Sequence, residues 1–344
     1  MRALIMAGGT GGHVYPALAV AQELRQRGWQ VDWLGSNQGM ENRLVPKTGF
    51  VLHTLSVSGV RGRGVARKLM APFMLLRAVW QAMQFLRLLK PQVVLGFGGF
   101  ASGPGGLAAF LTRRPLVIHE QNAIAGMTNR YLSHVARVVF QAFPGALAGA
   151  RVVGNPVRAD ILALPEPAIR YAERTDALRI LILGGSLGAQ ALNEILPAGL
   201  AQAFDGTPVQ VRHQCGRGHL AAAQAVYAAT GLDVGISEFI DDMGAAYGWA
   251  DLLVCRAGAL TVCEVAAAGV PALFVPFPAA VDDHQTHNAN WLVKAGAARL
   301  LQQKDMNVVT VQAALADLHS RAALLPLAEA ARRMAVTDST QQVA

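Results

Sequence analysis

Cysteine is scarce in this chain of 344 residues, with three in all, Cys215, Cys255 and Cys263. An odd set without a C-x-x-C pair excludes a disulfide framework, gives no zinc pattern and fits a reducing cytoplasm. Aromatic residues make up only 6% and are not interleaved with basic ones, so the stacking platforms of a nucleic-acid binder are missing and no nucleic-acid partner is expected. Long apolar runs are absent too. The longest uncharged stretch, residues 91–112, is broken by six glycines and two prolines, which argues against a membrane-spanning helix. The opening MRALIMAGGTGG lacks the apolar core and cleavage signal of an export peptide.

Acid is missing from one half. Residues 1–158 hold 18 basic side chains and four acidic ones, Glu23, Asp32, Glu41 and Glu120, whereas the remainder holds 12 and 18. Between Glu41 and Glu120 there is no acid and there are eleven basic residues, among them Arg61, Arg63, Arg67 and Lys68. So one-sided a field implies an anionic partner. What is present in quantity is apolar, 53% hydrophobic against 15% charged. That excludes disorder and, at this length, supplies two cores.

Short apolar runs ending in glycine alternate with helical patterns: ALIMAGG, VDWLGS, PQVVLGFGG, PLVIHEQN, ARVVFQAF, RILILGGS, ADLLVCRAG and VPALFVPF. This alternation indicates β-α units and parallel sheets. The pattern of ALIMAGGTGG recurs 176 positions later as RILILGGSLG, so each half is expected to begin its own sheet. The stretch NPVRADILALPEPAIRYAERT, with Pro156, Pro165 and Pro167, reads as a linker between them. Two Rossmann-like lobes facing a cleft follow, with ligands beyond the strand ends. The segment 72–89 reads as a helix opened by Pro72, its polar residues Arg77, Gln81, Gln84 and Arg87 on one stripe. Its apolar arc is wider than a single packing face needs, which implies either burial on both sides or contact with a membrane.

Three glycine loops follow strands. Gly8-Gly9-Thr10-Gly11-Gly12-His13 offers backbone N–H groups and a helix N-terminus to anionic oxygen. Its spacing is neither that of a P-loop nor G-x-G-x-x-G, and no acid closes the second strand, which disfavours a dehydrogenase. His13 is placed on the loop, where an imidazole of ordinary pKa near about 6.5 suits a general base. The cluster around Gly98, Gly99 and Ser102 is a candidate diphosphate site through backbone amides, and Gly184-Gly185-Ser186 places Ser186 where it meets a phosphate. Glu264, near the start of the helix after ADLLVC, suits a ribose diol or compensation of the helix dipole in the first turn. Asp282, Asp283, His284, Gln285, His287 and Asn288 invite a metal reading, disfavoured because no second-half partner has ligand spacing.

The blocks GGTGGHVYPALAVA, GFGGFASGPGG, HEQNAIAGMTNR, GNPVR, GGSLGAQ and RAGALTVCEVAAAGVPALFVPFPAAVDDHQTHNA together resemble the MurG family of peptidoglycan glycosyltransferases, in the family's order from residue 8 to about residue 289. The resemblance implies a GT-B fold, α/β, with an acceptor-binding, membrane-associating domain at 1–158 and a UDP-sugar-binding domain at 159–344, the last helix able to pack back on the first. It implies transfer of N-acetylglucosamine from UDP-N-acetylglucosamine to lipid I with inversion, giving lipid II at the cytoplasmic face of the inner membrane. Partners would be an anionic membrane surface and other cell-wall synthesis enzymes. By that resemblance Thr10, Gly11, Gly12, Asn122 and Gln285 serve the donor sugar, Arg158 and Ser186 its diphosphate, and Ile240 the uracil through its backbone. Ala259, Leu260, Thr261, Val262, Cys263 and Glu264 match the nucleotide loop and helix start, with Glu264 on the ribose. Cys263 stands where serine is usual and Leu187 where glutamine is frequent. His13 is the first choice of base and Glu120 the second. No Asp-x-Asp occurs anywhere, so neither an obligatory metal nor another cofactor is expected. The competing reading is another GT-B enzyme acting on a UDP-sugar and a glycolipid.

Overall fold

A computed structural model describes residues 1–56, 65–185 and 188–344. Of the residues singled out above, Arg61, Arg63, Ser186 and Leu187 lie outside the described set, as do the side chains of Arg67 and Lys68. The chain divides into two units, Met1–Arg158 with Val336–Ala344, and Ala159–Ala335.

Seven strands form the sheet of the first unit: β1 (Arg2–Met6), β2 (Gln30–Ser36), β3 (Val51–Leu55), β4 (Val93–Gly96), β5 (Leu116–Glu120), β6 (Val138–Gln141) and β7 (Arg151–Val152). They are all parallel, in the order β3-β2-β1-β4-β5-β6-β7. The apolar runs of β1 and β4 are long enough for a strand and too short for a helix, and a strand flanked by two others is buried on both faces. The pleat then divides β1: Ala3 and Ile5, with Ala7 just past the strand end, join the core under α1 (Gly11–Gln26), and Leu4 and Met6 the opposite core. That second core takes Ala82 and Leu86 from a helix after β3 and Ala108 and Ala109 from one after β4. Val343, in the helix Ser339–Val343, packs into the α1 core, and Arg27 donates to the Gln341 carbonyl (3.3 Å).

Six parallel strands build the second unit: β8 (Leu178–Leu183), β9 (Val209–Gln214), β10 (Asp233–Ser237), β11 (Leu252–Cys255), β12 (Ala272–Phe274) and β13 (Ala298–Leu300), ordered β10-β9-β8-β11-β12-β13. In each unit the strand order reverses beside its first strand, between β1 and β4 and between β8 and β11. Loops leaving the carboxyl ends of those pairs flank a switch point, the position at which open α/β sheets bind ligands. The glycine loops found in the sequence are those loops.

The expected linker is in large part ordered in the second unit, with helices Ala159–Leu162 and Pro167–Ala172. Between β1 and β5 lie α2 (Glu41–Leu44), α3 (Val65–Leu89) and α4 (Ser102–Leu111), and after β5 α5 (Met127–Leu132). The helix expected at 72–89 thus begins at Val65, with Pro72 inside it. The residues ARKLMA that follow Val65 are good helix formers, so Pro72 costs one backbone hydrogen bond without marking the start. Burial on both sides is also not what α3 shows. Ala78, Val79, Ala82 and Leu86 are buried, while Phe73, Leu76 and Trp80 are 71%, 67% and 61% exposed.

Candidate functional site

In the first unit β1 runs out at Met6 and the chain turns on Gly9, whose φ of +90° only glycine adopts without strain. Thr10 is extended at the N-cap of α1, and its carbonyl accepts from the N–H groups of His13 (3.1 Å) and Val14 (3.2 Å). His13 therefore stands in the first turn of α1 and not on the preceding loop, because the helix closes immediately after Thr10. Its Nδ1 is 3.5 Å from Thr10 Oγ1. The opposite edge of the ring faces Gly98, where a Cβ would sit 3.0 Å from Nε2. Gly99 meets the Gly8 carbonyl so closely that no side chain fits there. The loops after β1 and β4 thus touch, with the imidazole at their junction. Gly11 and Gly12 open α1 beside it, and the Arg158 guanidinium lies 5.4 Å from the centroid of Tyr15, also on α1.

Ser102 has a narrower reach than its place in a glycine loop suggests. It is fully buried, and its hydroxyl lies 2.7 Å from the Gly98 carbonyl and 3.0 Å from that of Met6, to which it donates. What the loop can offer an anion is therefore backbone N–H at the start of α4.

Glu120, at the end of β5, is 2% exposed. Its Oε1 accepts from the backbone N–H (2.9 Å) and Nδ2 (3.4 Å) of Asn122, and its Oε2 from Gly126 N–H (3.2 Å) and Asn129 Nδ2 (2.9 Å). Burial pushes this carboxyl above its ordinary range, against those donors. With both oxygens engaged, Glu120 is built to shape the turn that carries Asn122.

In the second unit Gly185 and Gly188 take φ of +86° and +76° after β8. The Gln214 amide donates to the Gly185 carbonyl (3.0 Å) and accepts from Ile240 N–H (3.2 Å). The helix Ala259–Ala268 starts on the N-cap Gly258 and places Glu264 in its second turn, so the alternative of first-turn dipole compensation is excluded. Glu264 is 4% exposed, and Tyr247 donates its hydroxyl to Oε2 (3.3 Å). Ala259, Leu260 and Cys263 are also buried, Val262 wholly so, while Thr261 is half-buried. Val262 accordingly serves the core, and a ligand would meet this helix at its backbone, Thr261 and Glu264. Its far end is held by Arg170, which donates to the carbonyls of Ala268 (2.6 Å) and Gly269 (2.7 Å).

Gln285 ties two loops together. Its Oε1 accepts from the N–H groups of Ala257 (3.2 Å) and Phe277 (2.9 Å), which leaves the Nε2 group to address a ligand. The preceding Asp282 and Asp283 have φ of +52° and +49°, strain of the kind that persists at functional positions. Asn288 is buried and donates to the Ala257 carbonyl. Among the described residues no three His, Cys, Asp or Glu side chains are grouped to hold a metal ion.

Sequence reasoning passed over Tyr247, Gln214, Arg170 and, beneath the first loop, Glu41. None belongs to a glycine motif, and only Glu41 gives a local signal, in the glycines Gly35 and Gly39 beside it.

Each unit also buries one histidine whose pKa burial lowers to about 4, His119 in β5 and His213 in β9. As pH falls below the ordinary value near 6.5, the unfolded chain takes up these protons before the folded one does. Stability should be complete above about 6.5 and fall toward about 4, by up to about 1.4 kcal/mol per pH unit for each histidine. His213→Gln should flatten its share of that slope in urea unfolding between those values. Acid sensitivity equal to wild type would contradict the assignment.

Two family models match, the glycosyltransferase family 28 N-terminal domain over residues 3–141 and the C-terminal domain over residues 179–343. A UDP-N-acetylglucosamine–N-acetylmuramyl-(pentapeptide) pyrophosphoryl-undecaprenol N-acetylglucosamine transferase of Alcanivorax borkumensis is 57% identical over 343 residues, 99% of this chain and 96% of that one. Its namesake from Chromohalobacter salexigens is 56% identical over 99% and 95% of the two chains. Among solved structures, MurG of Acinetobacter baumannii is 48% identical with a TM-score of 0.89, covering 99% and 97%. A UDP co-structure of MnaA from S. aureus, 14% identical with a TM-score of 0.68 over 100% and 95%, shares the fold alone.

Proposed function

The chain belongs to glycosyltransferase family 28, and on that premise we propose that it transfers N-acetylglucosamine from UDP-N-acetylglucosamine to the 4-hydroxyl of the N-acetylmuramyl group of lipid I, forming lipid II. The observation that carries this reading is 57% identity along 99% of the chain to a relative bearing that activity in its name. The first unit binds the acceptor and the second the donor.

The reaction is a direct displacement at the anomeric carbon. In the tautomer that turns its Nδ1 proton toward Thr10 Oγ1, His13 presents a basic Nε2, which takes the proton of the attacking hydroxyl. UDP leaves as the bond to the anomeric carbon breaks. Arg158, Ser186 and the backbone N–H groups after β8 meet the charge that develops on it. The uracil edge faces the carbonyl of Ile240, since the N–H is held by Gln214. Glu264 receives the ribose hydroxyls, and Asn122 and the Gln285 amide address the sugar. Glu120 acts through the turn it organises. Backbone N–H groups after β4, near Gly98 and Gly99, receive the acceptor diphosphate. No step requires a metal, and EDTA should leave the rate intact.

The acceptor is what separates this reading from another glycolipid glycosyltransferase. A lipid I analogue and a diacylglycerol offered together should yield product from the first only. Sugar appearing on the diacylglycerol instead would favour the alternative.

We place the enzyme at the cytoplasmic face of the membrane. No helix among the described residues is long and apolar enough to cross one. The exposed Phe73, Leu76 and Trp80 of α3, on the unit with net positive charge, support surface attachment to anionic lipid. Other cell-wall enzymes would be met there. Neutralising Arg61, Arg63, Arg67 and Lys68 together, at about 1 kcal/mol each, should abolish most binding to anionic vesicles and leave UDP affinity intact. Unchanged vesicle binding would leave the charge asymmetry without this explanation.

A further inference from the structure

Glu41 has no exposed surface, and its carboxylate is met by Gly9 and Ser36, with no basic side chain hydrogen-bonded to it among the described residues. It opens the four-residue helix α2, and its carboxylate turns inward beneath the loop after β1. Oε1 accepts from the backbone N–H (2.9 Å) and hydroxyl (2.8 Å) of Ser36, and Oε2 from the N–H of Gly9 (2.9 Å). Three glycines surround it. A Cβ on Gly35 would lie 2.7 Å from Glu41 Cγ, and one on Gly8 or Gly39 would overlap the carboxylate itself. None of the three has a left-handed backbone, so glycine is required there by the space the carboxylate fills.

The cage holds a loop that carries chemistry. Gly9 is tied at both ends of its peptide unit: its N–H to Glu41, its carbonyl to the N–H of Met40 (3.4 Å). The next residue is Thr10, whose carbonyl receives the N–H of His13 and whose hydroxyl faces its ring. Burying a carboxylate without a cation is costly, and apolar packing would hold a helix as well. A carboxylate is the group that accepts from all three of these donors.

Resting on the reaction proposed above, we propose that Glu41 is a positioning residue for it, fixing through Gly9 and Thr10 the place of His13. Glutamine has the same shape and the wrong pattern. Whichever way its amide turns, an NH₂ group faces the N–H of Gly9 or that of Ser36.

The test is a double-mutant cycle in the transfer assay with wild type, Glu41→Gln, His13→Ala and the pair, alongside calorimetric titration with UDP. Glu41→Gln should lower kcat about 10- to 100-fold, the scale of a misplacement near 1 Å, with the Kd for UDP changed less than about twofold. In the His13→Ala background the same change should cost less than about threefold, because its effect passes through that side chain. A full, independent loss in that background, or a wild-type kcat for Glu41→Gln, overturns the proposal. A wild type that transfers nothing would refute the reaction instead. Positioning is then read from the imidazole NMR signals of His13, which should shift in Glu41→Gln, and unshifted signals overturn it. Should Glu41→Gln fail to fold, Ser36→Ala, which removes one donor to Oε1, replaces it in the cycle with a smaller loss of the same pattern expected.

Discussion

His13→Ala should lower kcat by about 10²-fold or more, with the affinity for UDP changed little. The size follows from what the side chain is asked to do. A sugar hydroxyl is a poor nucleophile while it keeps its proton, and a positioned base that removes it as the bond forms contributes of order 10²- to 10⁴-fold. The selectivity follows from placement: His13 sits in the first turn of α1 against the loop after β4, whereas the nucleotide is assigned to the second unit. His13→Gln sharpens the test, since it keeps a hydrogen-bonding group of similar reach and removes the base. Both variants should fall alike. A near-normal rate in either would take His13 out of the role, and the doubly donated geometry of Glu120 makes it a poor substitute.

The second large effect is expected at Glu264. Its carboxylate, buried in the second turn of the helix Ala259–Ala268, is braced on one oxygen by Tyr247. Two ribose hydroxyls donating to a charged acceptor are worth roughly 1.5–3 kcal/mol each. Glu264→Ala should therefore weaken UDP binding by about 10²- to 10⁴-fold, while kcat at saturating donor changes far less. The control is 2′,3′-dideoxy-UDP, which wild type should bind poorly and the variant no worse than UDP itself. If Glu264→Ala lowers only the melting temperature, the residue is a structural partner of Tyr247 and nothing more.

Much of this was legible in the sequence for a physical reason. Central parallel strands are buried on both faces, so ALIM, LRILIL and LLVC stand out as apolar runs, and the glycines that follow them mark the switch points. Edge strands give no such signal. β10 lies at a sheet edge and Val51 opens the edge strand β3 at 57% exposure, while in β9, one strand in from the edge, alternate residues are exposed, so none of these reads as a buried run. Helix starts were less certain still: α3 begins seven residues before Pro72, and the closing of α1 at Gly11 takes in His13. The supporting groups were illegible because their meaning is three-dimensional. Glu41 meets Gly9 across 32 positions, and Tyr247 meets Glu264 across 17. No periodicity records such pairs.

The asymmetry of charge fits the proposed reaction: on that reading the basic unit receives a diphosphate-linked lipid at an anionic surface, and the acidic one a soluble nucleotide that needs only local positive groups. The most direct measurement of the whole is the product itself. The protein, UDP-N-acetylglucosamine and a lipid I analogue are incubated in EDTA, and the lipid product is examined by NMR. The account predicts a disaccharide with a β bond to the 4-hydroxyl, inverted from the α-linked donor. No disaccharide, or one with the α configuration retained, would contradict it.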